Sequence, residues 1–181
     1  FASNPSQFNK KLKKVMADFP KLIQDHTILT TIVIRKFERD YILNNSNLPR
    51  EVFIGGDREP EIVDEIDMKI LDLISENARI NSVEIAYKLS ITPKTAIARI
   101  KKLQDRKMII GFKPLLNLQK IDYISNLLLI RYHNITVELE NKLINYLKMQ
   151  PNVVGVVKTL GEWDVEIEIE VKNGRDFRKI E

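Results

Sequence analysis

Cysteine is absent from the 181 residues, which excludes disulfides, thiolate zinc sites and cysteine nucleophiles and fits a reducing interior. Histidine is scarce. His26 and His133 stand far apart and in no metal-ligand or catalytic spacing, so zinc and acid–base chemistry find little support. Among six glycines, the pair Gly55-Gly56 sits in a Pro-containing stretch with no Lys-Ser/Thr after it, so no phosphate loop forms there. Long apolar runs are missing too. Leu127 to Ile130 is far short of the roughly 20 residues a membrane helix needs, and no basic-then-apolar leader opens the sequence. These absences predict a cytoplasmic protein with no membrane contact, no metal and no cofactor.

What is present is an apolar content of 44%, enough for one domain or two small ones, and a net charge of +4 that is unevenly spread. Residues 61–87 carry seven acids against Lys69 and Arg79. Residues 88–120 carry nine bases against Asp105 alone. Such a switch marks a polyanion-binding face; a solvated lysine-rich helix would share the composition.

Helical spacing of Ile66, Ile70, Leu73 and Ile74 predicts a first helix from Asp67 to about Asn77. Asn81 followed by Glu84 is a variant capping box for a second helix with Ile85, Ala86 and Leu89 on its apolar edge. Thr92 and Pro93 then open a third helix that runs to about Arg106. On this third helix Ala96, Ile97, Ile100 and Leu103 fall on one side. Lys94, Thr95, Ala98, Lys101 and Lys102 point the other way, with Arg99 at the flank. Small residues among cations suit a helix lying in a DNA major groove. Lys94, Thr95, Ala98 and Arg99 stand closest to bases, with Lys101, Lys102, Arg106, Lys107 and Lys113 on phosphates. "MIIGFKPLL" at 108–116 is expected as a short strand pair, or wing. A three-helix bundle or protein-binding module has the same helix pattern.

The two chain ends form a second pattern. "LLLIRYH" (127–133) predicts a strand, Val137 to Met149 an amphipathic helix ended by Pro151, and "VVGVVKTL" (153–160) another strand. "WDVEIEIEV" (163–171) alternates strictly, and its acids lie roughly 6–7 Å apart along one strand, too far to share a metal ion unaided. The final "NGRDFRKIE" looks like a helix start, and it aligns with the beginning of the chain: Asn4 on Asn173 and Phe8 on Phe177. A chance likeness between amphipathic helices would give as few matches. The head continues with a helix through Leu12, Val15 and Phe19, then the strand "TILTTIVIRKF" (27–37). Joined tail to head, these pieces make a ferredoxin-like βαββαβ unit. The expected division is 1–43, second half of such a unit; 44–63, linker; 64–118, winged helix-turn-helix; and 119–181, first part of another unit.

The order of "IDMKILDLISENARINSVEIAYKLSITPKTAIARIKKL", "IIGFKPLLN" and "VVGVVKTLGEWDVEIEIEV" resembles the Lrp/AsnC, or feast/famine, family of transcriptional regulators. The chain resembles a fragment of a tandem-duplicated form, whereas the family unit is normally single. The family usually has glycine where Lys107 stands, so that turn is expected to close differently. The resemblance implies an α+β fold, a winged helix-turn-helix joined to ferredoxin-like effector-domain halves. It also implies a partner in double-stranded DNA, a homodimer or higher homo-oligomer, and no enzymatic activity. It further implies an amino-acid effector near the Gly-x-x-Asp turn, which carries over to Gly161, Glu162 and Asp164. A plain tight hairpin would equally use Gly161. Two alternatives share the architecture: a siroheme-decarboxylase-like enzyme, and a co-regulator without DNA binding.

Overall fold

The computed structural model describes residues 4–43, 51–57 and 59–172. The aligned Asn173 and Phe177, and the Asn/Pro-rich part of the expected linker at 44–50, lie outside these.

The chain begins with α1 (Pro5–Asp18), where Asn4 accepts the Gln7 N–H and Pro5 occupies the first turn. Strand β1 (Thr30–Lys36), the short α2 (Asp40–Leu43) and β2 (Val52–Gly55) follow. Strand β2 lies inside the segment expected as linker. It pairs antiparallel with β1, and its four residues, flanked by turn-forming residues, are too few to show a period in the sequence.

Three helices come next: α3 (Glu65–Glu76), α4 (Ser82–Leu89) and α5 (Pro93–Asp105). Each start is set locally. Asp64, Asn81 and Thr92 accept the N–H groups of Asp67, Glu84 and Thr95, which satisfies one orphan donor per helix. Ser90 turns between α4 and α5 at φ 53°. Ile70, Ile85, Ala86, Ala96 and Leu103 form their common core, and burying each large member contributes about 1.5–3 kcal/mol. Met108 and Ile109 pack against this core, and their N–H groups both donate to the Leu103 carbonyl. That bonding spends the donors a strand would need. With Gly111 and Pro114 just beyond, no wing strand forms among residues 106–117.

The remainder is a 3₁₀ turn (Leu118–Ile121), β3 (Ile124–Ile130), α6 (Val137–Lys148), β4 (Val153–Leu160) and β5 (Val165–Val171). The sheet order is β2-β1-β4-β5-β3, and every pairing is antiparallel. Alternation on β5 sends Val165, Ile167, Ile169 and Val171 into a core shared with Leu143 and Leu147 of α6 and with Phe37. Its acids face the other way, and two of them pair with the head of the chain. Glu168 meets Lys36, and Glu170, 1% exposed, takes two bonds from Arg39 at 2.8 and 2.9 Å and one from Tyr41. Gly155 lies beneath the Lys36–Glu168 pair, where a Cβ would come within 3.1 Å of both charged groups.

So the two ends share one sheet, but not by the expected edge. In a split βαβ arrangement the fourth strand lies beside the first. Here β1 adds to β4, and the outer edge of β3 is unpaired among the described residues.

Candidate nucleic-acid interface

Helix α5 is fixed to the fold by its arginines and shows its lysines to water. Arg99 Nη1 donates to Asp64 Oδ2 at 2.6 Å and to Asp67 Oδ1 at 2.7 Å, locking α5 to the start of α3. The guanidinium holds the Asp64 carboxyl below the usual carboxylate range, and the two acids raise the Arg99 pKa further. Arg106, at the C-terminal end of α5, donates to Glu61 and to the Ile62 carbonyl, tying down the approach to α3. The acid–base switch seen in the sequence is therefore partly an internal clamp.

Lys94, Lys101, Lys102 and Lys107 are exposed, and among the described residues none of them has a salt-bridge partner. Ala98 is exposed between them. Thr95 is half-buried, and its hydroxyl lies 2.8 Å from that of Thr92. Lys107 closes the turn after α5 in the left-handed conformation, φ 56°, which glycine would adopt without strain. The turn thus takes its backbone strain on a lysine. Lys113 is placed elsewhere. Its Nζ donates to the Phe37 carbonyl at 3.2 Å, and burial, then Arg39 and Lys36, push its pKa down.

Ile97 was expected in the core and is 57% exposed. It sits three residues after Lys94 and four before Lys101, so Lys94, Ile97, Ala98 and Lys101 make one outward stripe. The core side of α5 is centred on Ala96 and Leu103, about 100° away from Ile97, and that offset is the signal in the sequence that could have found it.

At the β4–β5 turn the residues are already engaged. Asp164 Oδ2 accepts the Tyr132 N–H at 2.7 Å. Glu162 accepts from Thr27 at 2.8 Å and from Arg131 at 3.2 Å, and the Arg131 guanidinium also lies 5.3 Å from the Trp163 ring centre. Gly161 has φ 150°, and a Cβ there would stand 2.7 Å from the Ile28 carbonyl oxygen. Segment 27–29 thus lies against this turn. No group of three His, Asp or Glu among the described residues could hold a metal ion.

A three-helix module with an exposed cationic third helix, joined to an antiparallel α+β sheet, is the architecture of a helix-turn-helix protein with a second, α+β domain. The comparisons agree: residues 63–104 match the AsnC-type helix-turn-helix domain. The chain is similar to an uncharacterised HTH-type transcriptional regulator of Pyrococcus horikoshii, 29% identical over 67% of this chain and 81% of that one. It is also similar to the leucine-responsive regulatory protein of Haemophilus influenzae, 32% identical over 33% of this chain and 36% of the other. Two solved structures share the fold. One is an AsnC family transcriptional regulator from Agrobacterium tumefaciens, with TM-score 0.58, 20% identity, and coverage of 65% and 78%. The other is a Neisseria meningitidis transcriptional regulator in complex with L-methionine, with TM-score 0.58, 19% identity, and coverage of 66% and 77%. The relatives are named as transcriptional regulators, and the AsnC-type match at residues 63–104 identifies the three-helix module as a helix-turn-helix domain. No helix among the described residues is long and apolar enough to cross a membrane.

Proposed function

We propose that the chain is a sequence-specific regulator that binds double-stranded DNA as a homodimer or higher homo-oligomer, with α5 in the major groove. The observation that carries this reading is the set of unpaired lysines, Lys94, Lys101, Lys102 and Lys107, on or next to the exposed face of a helix whose arginines are turned inward. Lys94, Thr95 and Ala98 stand toward base edges; Lys101, Lys102 and Lys107 neutralise phosphates. Arg99 and Arg106 are positioning residues that fix the angle of α5. Lys113 belongs to the junction with the sheet. In this reading, residues 1–43 and 119–181 are sensor halves and 64–118 the DNA-binding domain, and paired domains meet half-sites roughly 34 Å apart.

The test is fluorescence anisotropy with genomic duplexes over a salt series. About three phosphates neutralised per domain give a log–log slope of about −2.7, doubled in a dimer, and Lys102→Ala flattens it by about 0.9 per domain. Flat, weak binding to every duplex overturns the reading and favours a co-regulator that keeps the fold without DNA.

An amino-acid effector at Gly161, Glu162 and Asp164 is supported by the L-methionine complex of the Neisseria relative and by the exposed Arg131 guanidinium beside the turn. An incoming ligand has to take Glu162 from Thr27. Titration calorimetry with the amino acids checks this: binding lost in Glu162→Gln supports the site, and no heat with any amino acid refutes it.

A further inference from the structure

The outward stripe of α5 is poor in the groups that read bases by hydrogen bonds. Arg99, whose guanidinium could take a guanine bidentately, is committed to Asp64 and Asp67. The Thr95 hydroxyl faces Thr92. Between the ammonium groups of Lys94 and Lys101 there remain only the side chains of Ile97 and Ala98, both exposed.

A single exposed apolar side chain is ordinary on a protein surface. Ile97 differs by its place. Leaving it 57% exposed forgoes much of the burial its size could supply, on a helix whose other outward groups are cations suited to a polyanion. A lysine-framed apolar spot on a groove helix has one apolar complement in the major groove, the thymine 5-methyl group. Isoleucine is branched at Cβ and stiff in a helix, so its methyl groups are held in place before contact.

We propose that Ile97, with Ala98 beside it, is the specificity-determining contact of this chain and reads thymine 5-methyl groups, so that the preferred half-site carries A·T pairs under Ile97. The inference rests on α5 entering the major groove. Lys94 and Lys101 frame the contact from either end, each about one turn from Ile97 along the helix.

The experiment selects duplexes from a pool with a randomised core on the full chain, then remakes the enriched duplex with deoxyuridine at each thymidine in turn. Uracil keeps the base pair and lacks only the methyl. At the thymine under Ile97, deoxyuridine weakens binding by about fourfold, the worth of roughly one methyl group. Ile97→Ala weakens binding to the thymidine duplex by a similar factor, makes the deoxyuridine change silent, and leaves the thermal midpoint in place because the side chain is mostly in water. Ile97→Val, which keeps a β-branched methyl, retains the sensitivity. Enrichment of a sequence whose affinity ignores deoxyuridine at every position overturns the proposal, as does full sensitivity in Ile97→Ala. A pool from which no duplex is retained at any salt overturns the DNA reading itself and this inference with it.

Discussion

Truncating Arg99 to alanine separates the two roles open to a cation on α5, support of the helix and contact with bases. Its guanidinium lies 2.7 Å from Asp67, which is 3% exposed, so the truncation leaves a carboxylate inside the three-helix core without its partner. Breaking a fully buried pair in this way costs about 3–5 kcal/mol. The Arg99 side chain is 27% exposed, water reaches the vacated space, and a cost of about 1.5–3 kcal/mol is expected. If the chain melts as one unit, each kcal/mol moves the midpoint by about 2–4 °C, which gives a fall of roughly 3–12 °C. Thermal unfolding followed by circular dichroism measures it, and a cycle with Asp67→Ala isolates the pair: the double variant recovers part of the loss because no buried charge remains. Anisotropy well below the lower midpoint then compares a preferred duplex with a random one. The ratio of the two affinities is expected to survive in Arg99→Ala. An unchanged midpoint with a collapsed ratio refutes the clamp and makes Arg99 a base-reading residue.

Lys113→Ala leaves the salt dependence of DNA binding unaltered, in contrast to Lys102→Ala, because the Lys113 ammonium is spent on the Phe37 carbonyl; a slope flattened by a full unit would contradict its placement. Lys107→Gly relieves a left-handed residue and raises stability by about 0.5–1 kcal/mol in denaturant titrations, while its loss of charge flattens the salt slope. Gly161→Ala destabilises the sheet by about 1–3 kcal/mol, since the backbone there is at φ 150° and the Ile28 carbonyl fills the space; an unperturbed midpoint would show that segment 27–29 does not lie against the turn. Burial pushes the Glu51 pKa up, but bonds from Lys148 and Arg35 outweigh it and the net value lies below the ordinary range. A carboxyl depressed on folding stabilises above its unfolded pKa and loses that contribution as pH falls through the folded value. Acid unfolding of Glu51→Gln, compared with the parent, therefore shows a smaller loss of stability below about pH 4.5.

The helices α3 to α5 were legible because their signals are local. Asn81 and Thr92 cap within three residues, and Pro93 marks a first turn. What escaped the sequence depends on distant partners. Arg99 looks like a groove residue until Asp64 and Asp67, more than thirty residues earlier, are found beside it. Ile97 was placed inside because an apolar residue on a helix is ordinarily buried, and only the centre of the core at Ala96 and Leu103 shows it to be off-axis. The expected strand at 127–133 became Ile124–Ile130 because Arg131 and Tyr132 turn away to Glu162 and Asp164. The expected effector turn was legible as a hairpin, but the head segment against it was not, since nothing near Gly161 in sequence announces Thr27. The edge on which β1 joins the sheet is likewise a choice between two open edges, and no local pattern makes it.

The pairing of β1 with β4 also sets a schedule. Its partners, from Thr30 with Leu160 to Lys36 with Gly155, lie about 120–130 residues apart, with the whole three-helix domain between them. At roughly 5–20 residues per second a ribosome needs about 6–26 s to make the second strand after the first. The helices need only neighbours in sequence and close within that interval, shortening the loop the strands must then bridge. The three-helix domain is thus complete while β1 still has an unpaired edge. A nascent chain pulled from the ribosome after Ile109 should already protect α3 to α5 from proteolysis and leave Thr30–Lys36 open to cleavage.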